Sequence, residues 1–223
     1  MLYYLKAKAI ASLMVSILFI QACSSPQPPN KWQHDAVAMS QNYQKHFLQN
    51  RLLRARLELN HARRLASQSA KFHTLIDIEL TSCAMQIGSL EKSACEKATE
   101  LLLLEPDPFQ YAYLQLLTSQ ISEDKITFLP RQYQDFAKAL LSADQSRINQ
   151  TLTSIRPLSS QLVASALAID KIDDKNISEL IDRLSFHGYK KPLLAWLNIQ
   201  MKKEKETQKK ARLKAKIDVL TSN

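Results

Sequence analysis

"ACEKATELLLLEPDPFQYAYLQLL", residues 94–117, is the stretch whose reading decides the fold. A helix runs through "KATELLLLE" and stops at Pro106 and Pro108. Proline has no N–H to give a helix, and it pushes the residue before it out of the α region. Asp107 can then cap a second helix with Pro108 in its first position, where a missing N–H costs nothing. Tyr111, Leu114, Leu117 and Ile121 recur along that helix every three or four residues, the spacing of one helical face. Two helices joined by so short a turn run antiparallel.

The same grammar extends in both directions. Asn30 can cap a helix carrying Trp32, Ala36, Met39, Tyr43 and Phe47. "RLLRARLELNHARRLASQ" repeats the habit with Leu52, Ala55, Leu59, Ala62 and Ala66. "FHTLIDIELTSCAMQIG" sets Phe72, Ile76, Leu80, Cys83 and Ile87 on one face, with Gly88 as the natural C′ residue. Further helices are expected near Pro130, from Asp144, around Leu162, and from an Asn176 cap to Gly188. Pro192 opens the last and longest. The best strand candidate, "KITFL" at 125–129, is short and flanked by turn residues. The chain of 223 residues has only two glycines, Gly88 and Gly188, against an average of roughly 7%. Hairpins and phosphate-cradling loops lean on glycine, so helices joined by polar or proline turns fit better. Apolar residues make up 45%, enough for a packed core. The expected fold class is all-α, with antiparallel helical hairpins forming an irregular bundle or a short α-solenoid.

Cys83 lies just over a turn before the end of one helix, and Cys95 opens the next through "SACE", a capping box from Ser93 to Glu96. An antiparallel hairpin brings the two levels side by side, so a structural disulfide is expected. Free buried thiols, or a redox or metal role, are the alternatives. Cys-x-x-Cys spacing is absent.

At the N-terminus, Lys6 and Lys8 precede an apolar run over 9–20 broken only by Ser12 and Ser16. The run is shorter than the roughly 20 residues of a spanning helix and matches a secretory signal. Ile20-Gln21-Ala22-Cys23 follows. The segment resembles the signal peptide of bacterial lipoproteins, whose lipobox ends in small residues and a cysteine. That resemblance implies acyl chains on the thiol and amine of Cys23, and anchoring at a membrane. Ser24, where an Asp favours inner-membrane retention, implies delivery to the outer membrane, with the body facing the periplasm. Pro26, Pro28 and Pro29 make the next stretch an extended tether. The expected organisation is a signal peptide over 1–22, lipidated cysteine and tether over 23–30, a helical body over 31–191, and a long basic helix over 192–223.

That last segment, "PLLAWLNIQMKKEKETQKKARLKAKIDVLTSN", divides chemically. Leu193, Leu194, Trp196, Leu197 and Met201 can dock; Lys202, Lys203, Lys205, Lys209, Lys210 and Arg212 form a basic block; Leu213, Ile217 and Leu220 leave a thin stripe. Such a helix either folds back on the body or offers its block to a partner protein or an anionic surface. The formal charge of +9 is concentrated here.

Residues 94–117 also resemble the junction between tetratricopeptide repeats, through Ala94, Ala98, Leu101, Pro106, Tyr111 and Leu114. "WQHDAVAMSQNYQKHFL" through "ELTSCAMQIGSLEKSAC" is similar to uncharacterised proteobacterial lipoproteins, which transfer no activity. Phosphate-loop, dinucleotide, nucleophile-elbow and His-Glu-x-x-His motifs are absent. The histidines His34, His46, His61, His73 and His187 are scattered. No catalytic residue, metal, cofactor or nucleic-acid partner is expected. The expected function is that of a non-enzymatic assembly or accessory factor of the cell envelope that binds a protein partner. A peptidoglycan-directed enzyme activator or a structural tether to the cell wall is the alternative.

Overall fold

A computed structural model describes residues 30–222. The expected signal peptide, Cys23 and the tether up to Pro29 lie outside the described residues. Among those described, all regular structure is helical. In chain order come α1 (Lys31–Leu48), α2 (Leu52–Ala66), α3 (His73–Gly88), α4 (Glu96–Leu104) and α5 (Pro108–Leu117). A 3₁₀ helix (Glu123–Phe128) takes the place of the strand candidate and buries Ile126. Then follow α6 (Arg131–Leu141), α7 (Gln145–Ser154), α8 (Leu158–Leu167), α9 (Asp174–Phe186), α10 (Lys190–Lys203) and α11 (Thr207–Thr221).

The acidic-proline turn forms as its chemistry dictates. The Asp107 carboxylate accepts from the N–H groups of Phe109 and Gln110, both at 2.9 Å, with Pro108 at the head of α5. Asp144 caps α7 in the same way. At α9 the cap is Asp173, not Asn176. Asn176 sits buried in the first turn and donates to Asn149 Oδ1 at 3.0 Å, tying α9 to α7.

The helix α3 is the hub. In place of a single apolar face it buries residues on every side, Ile76, Ile78, Leu80, Cys83, Ala84 and Met85 among them. A helix apolar all round belongs in a core. It packs against α2, α4, α5 and α8, and Tyr43 of α1 hydrogen-bonds Ser82 at 3.3 Å. Gly88 is the last helical residue of α3 rather than its left-handed cap. A Cβ there would lie 3.0 Å from Leu162 Cγ of α8, so the glycine permits close approach of the two helices. The left-handed position falls to Leu90, at φ 60°. The Leu90 N–H donates to the Ile87 carbonyl and the Glu91 N–H to that of Gln86, closing a Schellman motif. Asn50 and Ser119 end α1 and α5 in the same conformation. Gly188 has the residue type most usual for that position.

Close packing of α3 on α8 passes over four intervening α-helices. In a linear stack each unit touches only its neighbours, so the assembly is an irregular bundle of hairpins. The tetratricopeptide-like turn is a local feature of α4 and α5. Trp196 of α10 is fully buried and donates from Nε1 to the Gly88 carbonyl at 3.2 Å. Nearby, Lys191 pairs with Glu91 at 2.6 Å and lies 4.8 Å above the Phe47 ring.

The segment 192–223 is not one long helix. α10 begins at Lys190, with Pro192 in the first turn, and α11 is a separate helix. Glu204 and Glu206 are extended and break the run. The block over 202–206 holds only Lys and Glu and has no apolar side chain to bury. Reversal there brings Leu213, Ile217 and Leu220 back against the body. α11 therefore folds onto α10 instead of protruding.

Candidate functional site: the C-terminal groove

Between α9 and α11 runs a groove floored by α10, about 570 Å³ in volume. Leu193 and Leu197 of α10 and Ile181 of α9 form its base, and all three are buried. Val219 and Leu220 form the α11 wall, with Val219 65% exposed. Asp182 and Ser185 of α9 face Arg212 and Lys216 of α11 across the mouth. The groove exists because α11 has a seam too narrow to cover α9 as well as α10. None of its side chains is fully buried.

The basic block divides among different tasks. Lys203 donates from Nζ to the Ile172 carbonyl at 2.9 Å and lies 3.4 Å from Asp174, fastening the end of α10 to the start of α9. Lys209 pairs with Glu206 at 2.9 Å, and that hydrogen bond raises its pKa. Lys202, Lys205 and Lys210 are exposed with no ion pair among the described residues, and Arg212 alone of the block lines the groove. Lys216 was missed by sequence reading. Its signal was position: it lies one residue before Ile217, at the edge of the apolar stripe. Arg212 and Lys216 stand against the single carboxylate of Asp182 in the lining, so the rim is positive on balance.

Cys83 and Cys95 are disulfide-bonded with Cα atoms 5.3 Å apart. The capping box beside them does not form. Cys95 is the N-cap of α4 at φ 53° without a side-chain cap. Ser93 Oγ lies 3.2 Å from Cys83 Sγ and accepts from the Cys95 N–H at 3.5 Å. The bond borders a polar cavity of about 400 Å³ that also holds Arg63 and Glu79. Arg63 grips both Glu79 oxygens at 2.6 Å, with Glu79 almost wholly buried. The guanidinium fork engages both carboxylate oxygens, a bidentate pair. Removing Arg63 would strand the buried charge of Glu79, at roughly 3–5 kcal/mol. Helix spacing could not reveal this pair, because it joins α2 to α3.

His73 lies 3.9 Å from both Asp77 and Asp107 on an exposed corner, and the Gln110 side chain donates to Asp77 at 2.7 Å. Among the described residues no group of three or more His, Cys, Asp and Glu is disposed to hold a metal ion. None of the described helices is long and apolar enough to cross a membrane. No known protein family, curated protein or solved structure matches the chain.

Proposed function

We propose that the protein is a non-enzymatic lipoprotein of the bacterial outer membrane, anchored through Cys23 and facing the periplasm. It acts as an assembly or accessory factor by holding an envelope protein in the C-terminal groove. The groove is the observation that carries this reading. Its apolar floor and positive rim suit the apolar face of a partner helix flanked by acidic side chains, in the helix-in-groove mode. The disulfide supports an oxidising compartment, and the n-region, apolar run and Ala22-Cys23 support the address.

Site-specific photocrosslinking in cells tests it, with the photoreactive group at Val219 in the full chain and at Leu57 of α2 as the control. An envelope protein captured only from Val219, through a segment reading as an acidic amphipathic helix, is the expected product. Arg212→Glu with Lys216→Glu should weaken capture about tenfold, the equivalent of roughly 1.4 kcal/mol. Recovery of monomer alone, or capture indifferent to charge reversal, removes the docking reading. Mass spectrometry of the mature N-terminus tests the address separately, and an unacylated chain in the cytosol would overturn it. A second reading, as a tether or activator at peptidoglycan, draws on the unpaired Lys202, Lys205 and Lys210. Sacculus binding unchanged in a triple Lys→Gln variant would count against it.

A further inference from the structure

A third cavity, about 440 Å³, opens where α1, the α7–α8 turn and the end of α9 meet. Lys45 of α1, Arg156 of the α7–α8 turn, Arg183 in the last turn of α9 and His187 just after it converge on it, with Ser159 and Tyr189 beside them. No carboxylate lines it among the described residues. Like charges gathered without a counter-charge repel one another, so the arrangement favours an anionic occupant.

The cations are also free to serve one. Lys45 and Arg156 make no ion pair among the described residues. Arg183 spends its hydrogen bonds on neutral acceptors, the Gln161 side-chain oxygen and, at 3.0 Å, the Arg156 carbonyl. Those bonds fix the guanidinium without neutralising it, which is preorganisation for an incoming oxyanion. The His187 ring stacks on Tyr189 with centroids 5.5 Å apart. Leu158 and Ser159, in the wall, open α8 behind a Pro157 N-cap that offers no side-chain acceptor. The positive end of the α8 dipole therefore lies beside the cavity.

Two guanidinium forks and an ammonium match the oxygens of a phosphate better than a single carboxylate. The volume exceeds that of a bare phosphate, and Leu48 and Leu158 supply apolar wall for a substituent. We infer that this cavity binds a phosphate monoester. The ester is either a lipid headgroup or a soluble molecule. The site involves none of the groove residues, so it stands or falls independently of partner docking.

The test uses the full chain in neutral detergent micelles at fixed ionic strength, reading the thermal midpoint. One arm adds glycerol 3-phosphate. The other adds phosphatidic acid to the micelles, with diacylglycerol as its control. Matched sodium chloride serves both. The midpoint should rise with at least one phosphate probe and not with chloride. Lys45→Gln and Arg156→Gln, both at exposed positions, should each weaken the apparent affinity about tenfold, as loss of one charge-assisted hydrogen bond would. A Lys205→Gln, Lys210→Gln variant should respond like the parent. A shift from glycerol 3-phosphate identifies a soluble ester as sufficient, and a shift from phosphatidic acid alone identifies the lipid. No shift with either probe, an equal shift with chloride, or an undiminished response in the two cavity variants overturns the inference.

Discussion

Gly88 ends α3 where α8 and α10 both press on it. A Cβ would meet Leu162 Cγ at 3.0 Å and Cδ2 at 3.2 Å, while the carbonyl accepts from Trp196. Gly88→Ala should therefore destabilise the fold by about 1–3 kcal/mol in urea titration, the range for overpacking. Adding Leu162→Ala should cost less than the sum of the two single changes, because the clash disappears with the leucine. That a helix stops near Gly88 was legible from its neighbours. That the glycine serves packing was not, because Leu162 lies on a distant helix. Tyr113 and Tyr133 are a second case. Their hydroxyls are 3.5 Å apart, and burial raises both pKa values, that of Tyr113 well above 10.0. The folded chain holds these protons after the unfolded chain has released them. Their contribution is fully present below about pH 10 and is lost as pH rises towards the folded values. Tyr113→Phe should flatten the fall of the denaturation midpoint between about pH 9.5 and 11.

Helix ends divide into those written locally and those imposed from elsewhere. Asp107, Pro108 and Asp144 act within a few residues of chain, and the helix starts they signal are present. The Ser93–Glu96 box had equally good local credentials and fails. The bond to Cys83 draws Cys95 into a left-handed conformation, and Ser93 turns towards the sulfur. The link closes a short loop of sequence separation 12. Loop entropy then assigns it about 3 kcal/mol. Replacing both cysteines with serine should lower stability by about that amount in guanidinium titration. The circular dichroism at 222 nm should change little, because α3 keeps its other packing partners. The basic block at 202–206 misled in the opposite sense. Charge alone read as a continuing helix, whereas the apolar stripe beyond it needed a reversal to reach α10.

All-helical architecture followed from three-to-four spacing and scarce glycine, both properties of short windows. Closure of the bundle did not. It depends on α3 meeting α8 and α10, and on pairs such as Lys191 with Glu91, for which sequence carries no periodic mark. The candidate groove was half visible: Arg212, Leu220 and the docking residues Leu193 and Leu197 could be read, but not Ile181 of α9 or the reversal of α11 that sets them around one space. The bond between Trp196 and Gly88 also has a temporal side. A chain threaded through a pore from its N-terminus has α3 outside long before the indole that completes its packing. Until residue 196 emerges, the Gly88 carbonyl and the apolar surface around it stay wet. The nascent protein must therefore wait in an unfinished, sticky state, one that rewards a holdase and punishes any pause late in the chain.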